Sequence, residues 1–239
     1  MLFRSKPVFC EKPLGLSVTQ CDRMVAACRD AGVELFVGQV LGLFPLFRKS
    51  LELIAAGVLG VPRAVSVTRA MCSGPYRKGW RTRRATTGGR ILEVNVHELD
   101  YMRRILGEPV EVYAKIQNIL GHTDYEDLGF VMVEFAGGGV GCLHTSNASP
   151  AGEYRAHIQG TRGSMIHGGF KGTLEYQTLD GAREQFASPD VQRENPYELE
   201  LGLWLDSIAT KTPPAWASEW PRCMSSPRRR VRSKPSESR

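Results

Sequence analysis

Between Pro109 and Ala187 turn residues cut the chain into short apolar runs, and no other stretch restricts its fold as strongly. Val110 to Leu120, Leu128 to Phe135, Val140 to Ala148, Glu153 to Gln159, Ser164 to His167 and Gly172 to Thr178 read as strands. Gly137-Gly138-Gly139, Thr161-Arg162-Gly163 and Asp180-Gly181 supply turn chemistry between them. Short strands joined by tight turns pair as an antiparallel sheet.

Upstream the pattern is different. Lys6 to Cys10 reads as a buried strand, and Ser17-x-x-Gln20 as a capping box. A helix follows with Cys21, Met24, Val25 and Cys28 at helical spacing, and Gly32 stops it. Val33 to Val40 is a second strand, so this segment is a βαβ unit. A helix from Pro45, a strand over Val61 to Ala70 and an arginine-rich loop from Arg69 to Arg84 follow. Arg90 to Leu106 reads as one helix, with Leu92, Val96, Leu99, Met102 and Leu106 as its apolar stripe. Asn195-Pro196 caps a last helix with Tyr197, Leu201, Trp204 and Ile208 on its apolar face.

No apolar run approaches the roughly 20 residues that span a bilayer, and the N-terminus makes a poor signal peptide, so the expected location is cytoplasmic. The six cysteines contain no C-x-x-C pair, which argues against a zinc or redox motif and for buried thiols. No metal site is expected. The net charge of +6 resides in the tail, where seven cations from Arg222 onward face only Glu237. A solvated, disordered end explains this better than nucleic-acid binding.

Two positions carry chemistry. Glu93 and His97 are four residues apart, which on one helix stacks them about 6 Å apart, with Asp100 and Tyr101 continuing that face. A carboxylate beside an imidazole can fix its tautomer and raise its basicity, as alcohol oxidation requires. An isolated pair of this spacing is more often a solvated surface pair. Lys12, within Glu11-Lys12-Pro13, follows the first strand, and ligands bind at the carboxyl ends of strands in open α/β sheets. Beside a positively charged ligand its own charge would be disfavoured and its pKa would fall.

Val8-Phe9-Cys10-Glu11-Lys12-Pro13-Leu14, then Val37-Gly38-Gln39-Val40-Leu41, Phe44-Pro45, Leu59-Gly60, Gly88-Gly89 and Glu93-x-x-x-His97-x-x-Asp100 occur in that order. The series resembles the glucose–fructose oxidoreductase / inositol dehydrogenase / MocA family over about residues 6–210. The resemblance implies an NAD- or NADP-dependent oxidoreductase acting on a sugar, polyol or related hydroxyl compound. It implies Lys12, His97 and Glu93 as catalytic residues, with Glu93 orienting His97. Glu11, Lys12 and Pro13 would lie against the cofactor, with Pro13 in a cis peptide. Trp80, Arg81, Arg84, Asn95 and His97 would contact substrate. Gln39 and Gly42 stand where similar members often carry His and Arg.

The expected architecture is an α/β remnant of a Rossmann domain over residues 1–42, then an α+β domain with a large, mainly antiparallel sheet over 43–212, then a basic disordered tail over 213–239. No G-x-G-x-x-G occurs in the chain, so dinucleotide binding by the chain alone is doubtful. A truncated start is expected, and a shifted reading frame would account for the tail. The sheet is expected to form a homo-oligomer, and a catalytically silent oligomerisation or binding module is the alternative function.

Overall fold

The computed structural model describes residues 6–72, 79–212 and 232–233. Strand β1 (Val8–Glu11) pairs in parallel with β2 (Leu35–Gly38), and helix α1 (Val18–Asp30) connects them. Ser17 caps α1 by accepting from the Gln20 amide at 3.2 Å. The capping box is altered, because Gln20 accepts from Leu16 N rather than from Ser17 N. Two strands offer α1 little to pack against, and none of its residues is fully buried. Cys21 and Cys28 are therefore half-buried, not enclosed as expected, and Cys72 is exposed. Phe9 of β1 stacks on Phe36 of β2, with centroids 5.2 Å apart.

Helix α2 (Pro45–Ala55) begins at a proline, whose missing N–H costs nothing in a first turn. It buries Leu46, Phe47, Ser50 and Leu53. The large sheet is built from β3 (Pro62–Cys72), β4 (Pro109–Gln117), β5 (Leu128–Phe135), β6 (Val140–Ser146), β7 (Ala148–Gly160), β8 (Gly163–His167), β9 (Thr173–Thr178) and β10 (Arg183–Ala187). Their order is β10-β9-β8-β7-β3-β6-β5-β4. Neighbours are antiparallel except β3 and β6, which run parallel. Of the basic tail, only Arg232–Ser233 (β11) is described, as an edge strand parallel to β4. The start at 1–5, the loop at 73–78 and the remaining tail lie outside the described residues.

Alternation decides which face is covered. Val65, Val67, Val131, Val133, Phe135, Leu143, Ile158 and Met165 point inward, under α2 and α5 (Val96–Leu106). Complete burial of one such side chain contributes about 1.5–3 kcal/mol. Tyr113, Phe130 and Met132, on the other face, are exposed. No described helix is long and apolar enough to cross a membrane.

Three expectations need correction. After a one-turn α3 (Arg84–Thr87), the helix expected over Arg90–Leu106 is two helices, α4 (Arg90–Glu93) and α5, with Val94 and Asn95 between them. Asn95 is fully buried at this break. Its Oδ1 accepts from Thr145 at 2.7 Å and its Nδ2 donates to Glu98 at 2.9 Å. The side chain thus joins helix to sheet and leaves α5 without a side-chain cap. The buried residues of α5 are accordingly Glu98, Tyr101, Met102 and Leu106, and Leu99 is only partly covered. Strand β10 was not expected, since Arg183-Glu184-Gln185 lacks strand composition; pairing with β9 imposes it. Finally, beyond the one-turn α6 (Ser188–Val191), α7 (Pro196–Thr210) buries Glu200 and Ser207 and leaves Tyr197, Leu201 and Leu205 exposed. Its contact with Glu34, which accepts from Ser207 Oγ at 2.6 Å, fixes that rotation.

Candidate active site

A pocket of about 220 Å³ opens where the carboxyl end of β1 meets the α4–α5 break. Lys12, Val40, Leu41, Phe44, Arg69, Arg81, Glu93, Val94, His97, Phe170 and Tyr197 line it. The Lys12–Pro13 peptide is cis, as the resemblance implies. Lys12 Nζ donates to the backbone carbonyl of Glu93, so the lysine bridges the two motifs singled out in the sequence. Burial pulls its pKa below the ordinary lysine range, Glu93 opposes this, and Arg69 adds to it.

His97 is positioned differently from expectation. Its Nδ1 lies 2.9 Å from Oε1 of Gln39, not against Glu93. The break at Val94–Asn95 removes the continuous turn that would stack residues 93 and 97. Gln39, 4% exposed at the end of β2, therefore holds the ring. An amide oxygen at Nδ1 requires the proton there and leaves Nε2 as the basic nitrogen. Burial, then the Lys12 charge, pulls the His97 pKa to about 4, so the ring is neutral at pH 7. The Glu93 carboxylate faces Arg81 at 3.6 Å. Glycine at position 42 is also accounted for: a Cβ there would stand 2.8 Å from the Arg104 guanidinium, which ion-pairs with Asp100 at 2.7 Å.

The remaining expected substrate residues divide. Arg81 lines the pocket, with its guanidinium 4.7 Å from the Trp80 ring centroid. Trp80 itself is exposed and is not among the lining residues. Arg84 pairs with Glu126 and donates to Gly88 O at 3.2 Å, so it braces the Gly88-Gly89 turn outside the pocket. Asn95 is spent on Thr145 and Glu98. Glu11 stands at the end of β1, and burial together with Glu11 pushes buried Glu200 of α7 up to about 7.

Arg69 is a lining residue that sequence reasoning missed. It ion-pairs at 2.8 Å with Glu98, which has no exposed surface. Tyr154 donates to the same carboxylate at 2.6 Å, and the Arg69 guanidinium packs over the rings of Tyr154 and Phe170 at 5.1 and 5.4 Å. Buried Arg90 forms a second anchor, donating to Thr145 at 2.7 Å, to Ser146 O at 2.9 Å and to Asn147. Position 69 shares its strand face with Val65 and Val67, so an inward arginine was readable from the two-residue period.

Residues 1–39 match the family described as "Oxidoreductase family, NAD-binding Rossmann fold", and residues 47–166 match the GFO/IDH/MocA C-terminal domain. The chain is 30% identical over 196 residues to 2,7-anhydro-N-acetylneuraminate hydratase of Escherichia coli, covering 80% of this chain and 52% of that protein. It is 28% identical to myo-inositol 2-dehydrogenase of Thermotoga maritima, covering 90% of this chain and 66% of the relative. The structure resembles aldose-aldose oxidoreductase from Caulobacter crescentus, with a TM-score of 0.78 and 25% identity, over 88% of this chain and 64% of that one. The chain thus spans between about half and two-thirds of the length of these relatives. With both halves of the match in the order of the fold, the chain belongs to the GFO/IDH/MocA oxidoreductase family.

Proposed function

We propose that this chain carries the substrate half and the proton-transfer groups of a nicotinamide-dependent oxidoreductase acting on a sugar, polyol or related hydroxyl compound. The observation that carries this reading is the convergence of Lys12 and His97 on one pocket at the carboxyl end of β1. The pocket's small volume suits a monosaccharide-sized ligand better than a drug-sized one, for which roughly 300–1,000 Å³ is usual.

The strand ends fit the nicotinamide end of NAD or NADP: Glu11 offers an acceptor there, and Lys12 is a cation already biased toward losing its proton. Glu11, Lys12 and Pro13 would hold that end. When bound, the nucleotide supplies hydride acceptance or donation. The hydroxyl proton is the protein's task. Neutral His97, held through Nδ1 by Gln39, presents Nε2 as the acceptor in oxidation. Lys12 donates to the same oxygen or relays its proton, while Glu93 faces Arg81 within the pocket.

The test is reduced-nicotinamide fluorescence with this chain, then turnover of myo-inositol and D-glucose with NAD and NADP. H97A and K12M are each expected to lower turnover by about 10²–10⁴-fold. Unchanged turnover in both variants would overturn the assignment. A second reading, a catalytically silent oligomerisation module, draws on the exposed Tyr113, Phe130 and Met132. Self-association without nucleotide binding or turnover would favour it.

A further inference from the structure

We propose that His167 is a positioning residue of this pocket: it fixes the turn between β8 and β9 and, through that turn, the Phe170 ring that lines the pocket. The proposal rests on the oxidoreductase reading above for its ligand. Residues 168–172 read Gly-Gly-Phe-Lys-Gly. Gly169 has φ +74° and Gly172 φ +93°, and a Cβ at Gly169 would stand 2.5 Å from the Tyr154 ring. Glycine backbone of this kind wanders unless it is tied, and whatever freedom it keeps in the free protein is lost on binding. Gly168 N donates to Thr173 O at 3.3 Å, and Ser188 N donates to Gly172 O at 3.0 Å, which holds the ends of the turn. His167 holds its centre, because Nδ1 accepts from Gly169 N at 3.3 Å. Asparagine and aspartate close turns in the same way, with a side-chain acceptor for the amide two residues on.

The imidazole adds a second tie, into the core. A backbone N–H can only donate, so Nδ1 is bare and the proton of the neutral ring is on Nε2. Nε2 donates to the Tyr101 hydroxyl of α5 at 3.2 Å. Ser50 of α2 donates to Phe47 O at 2.6 Å, so its oxygen accepts from Tyr101 at 2.5 Å. The string therefore has one direction and joins β8, α5 and α2. His167, Tyr101 and Ser50 are each at most 1% exposed. Burial holds the imidazole pKa at about 3, which keeps Nδ1 an acceptor at neutral pH. Phe47 packs edge-on against the imidazole, with centroids 4.6 Å apart, and limits its rotation. Past the tied amide, Phe170 packs on Phe44 at 4.6 Å and on Tyr154 at 4.8 Å, and the Arg69 guanidinium is 5.4 Å from its centroid. His167 itself is not among the lining residues, so it acts on a ligand through Phe170.

Nuclear magnetic resonance of the free protein and calorimetric titration together make the test. The imidazole nitrogen shifts of wild-type His167 should place the proton on Nε2; a proton on Nδ1 would overturn the proposal, and this reading needs no variant to fold. Two substitutions separate the ties. In H167N the amide oxygen reaches the Nδ1 position, whereas in H167Q the amide reaches the Nε2 position and leaves Gly169 N without its acceptor. H167Q should exchange its Gly169 amide about tenfold faster than wild type and lose the Overhauser contacts between the Phe170 and Tyr154 rings, and H167N should keep both features. Titration with myo-inositol and D-glucose should show binding about fivefold weaker in H167Q, and no further weakening when H167Q is added to F170A. Wild-type exchange and ring contacts in H167Q, or affinity losses that add in H167Q/F170A, would overturn the positioning role. If wild type binds neither compound, the oxidoreductase reading is what fails, and the free-protein measurements still decide whether His167 sets the turn.

Discussion

Glu98 accepts from Arg69, Tyr154 and Asn95 with none of its surface exposed. Burial alone would raise its pKa, but Arg69 and the hydrogen bonds outweigh burial and hold it below the ordinary range. Removing the carboxylate strands Arg69 in a site with little water. E98A is therefore expected to lose about 3–5 kcal/mol in urea unfolding, and Y154F about 1 kcal/mol. Losses below 1 kcal/mol in both would show the pair to be a surface-like contact. The histidines give a second prediction at this scale. Burial pulls His167 to about 3, where its Nε2 meets the Tyr101 hydroxyl at 3.2 Å. The unfolded chain takes up a proton near pH 6.5 that the folded chain refuses. His167 therefore costs stability as pH falls through 6.5 toward about 3, at up to about 1.4 kcal/mol per pH unit. Glu200, raised to about 7, has the opposite slope between its unfolded pKa and that value, so a comparison of variants is cleaner than the wild-type curve alone. The stability gap between wild type and H167Q should narrow from pH 7 to pH 5 in urea titrations. A gap independent of pH would contradict the buried, neutral imidazole.

At the scale of elements, the Gly88-Gly89 turn shows how backbone and side chain cooperate to aim α4. Gly89 has φ +101°, which side chains rarely tolerate, and a Cβ there would meet the Glu126 carboxylate at 2.8 Å. That carboxylate accepts from Ile91 N at 3.1 Å and pairs with Arg84, tying the start of α4 to the loop before β5. G89A should cost about 1–3 kcal/mol and displace α4, read by thermal unfolding together with the loss of any ligand affinity. An unchanged midpoint would mean the turn relaxes freely. What the sequence disclosed follows from how local each signal is. Leu128–Phe135 has the bounds expected, because its inward Val131, Val133 and Phe135 alternate with outward residues. The Lys12 and His97 motifs are contiguous and could be read. The α4–α5 break could not, because its cause is a bond from Asn95 to Thr145 across 50 positions. Gln39 stands out in the sequence only as a departure from similar members, since its hold on His97 exists only once β2 and α5 are packed. Arg69 had a local signal, an arginine in phase with Val65 and Val67, but its place at the pocket depends on Glu98.

For the whole molecule, the sheet divides the protein into a covered side and an open one. Helices α2 and α5 cover Val131, Val133 and Leu143, while Tyr113 and Met132 sit opposite one another on the open face of β4 and β5. Phe130, on the same face, stacks on His144 of β6 with centroids 4.4 Å apart and planes within 2°. Val140 of β6 is exposed as well. Apolar side chains from three adjacent strands make a patch of the kind that marks a contact surface, whereas scattered singles would need no explanation. A second copy of this chain is the simplest occupant, because identical sheet faces related by a two-fold axis complement themselves. A stable pair would have to cover about 1,200–2,000 Å² in total, which requires β4, β5 and β6 together rather than one edge. Sedimentation at micromolar concentration should give a dimer or larger assembly, and F130E/M132E, which places charges at its centre, should give a monomer with unchanged secondary structure. A wild-type monomer, or assembly indifferent to both charges, would rule out this face. The pocket lies on the helix-covered side, so sugar binding by the F130E/M132E variant should match wild type. If it does not, assembly and the site are coupled through β6, whose Thr145 bonds Asn95 at the α4–α5 break.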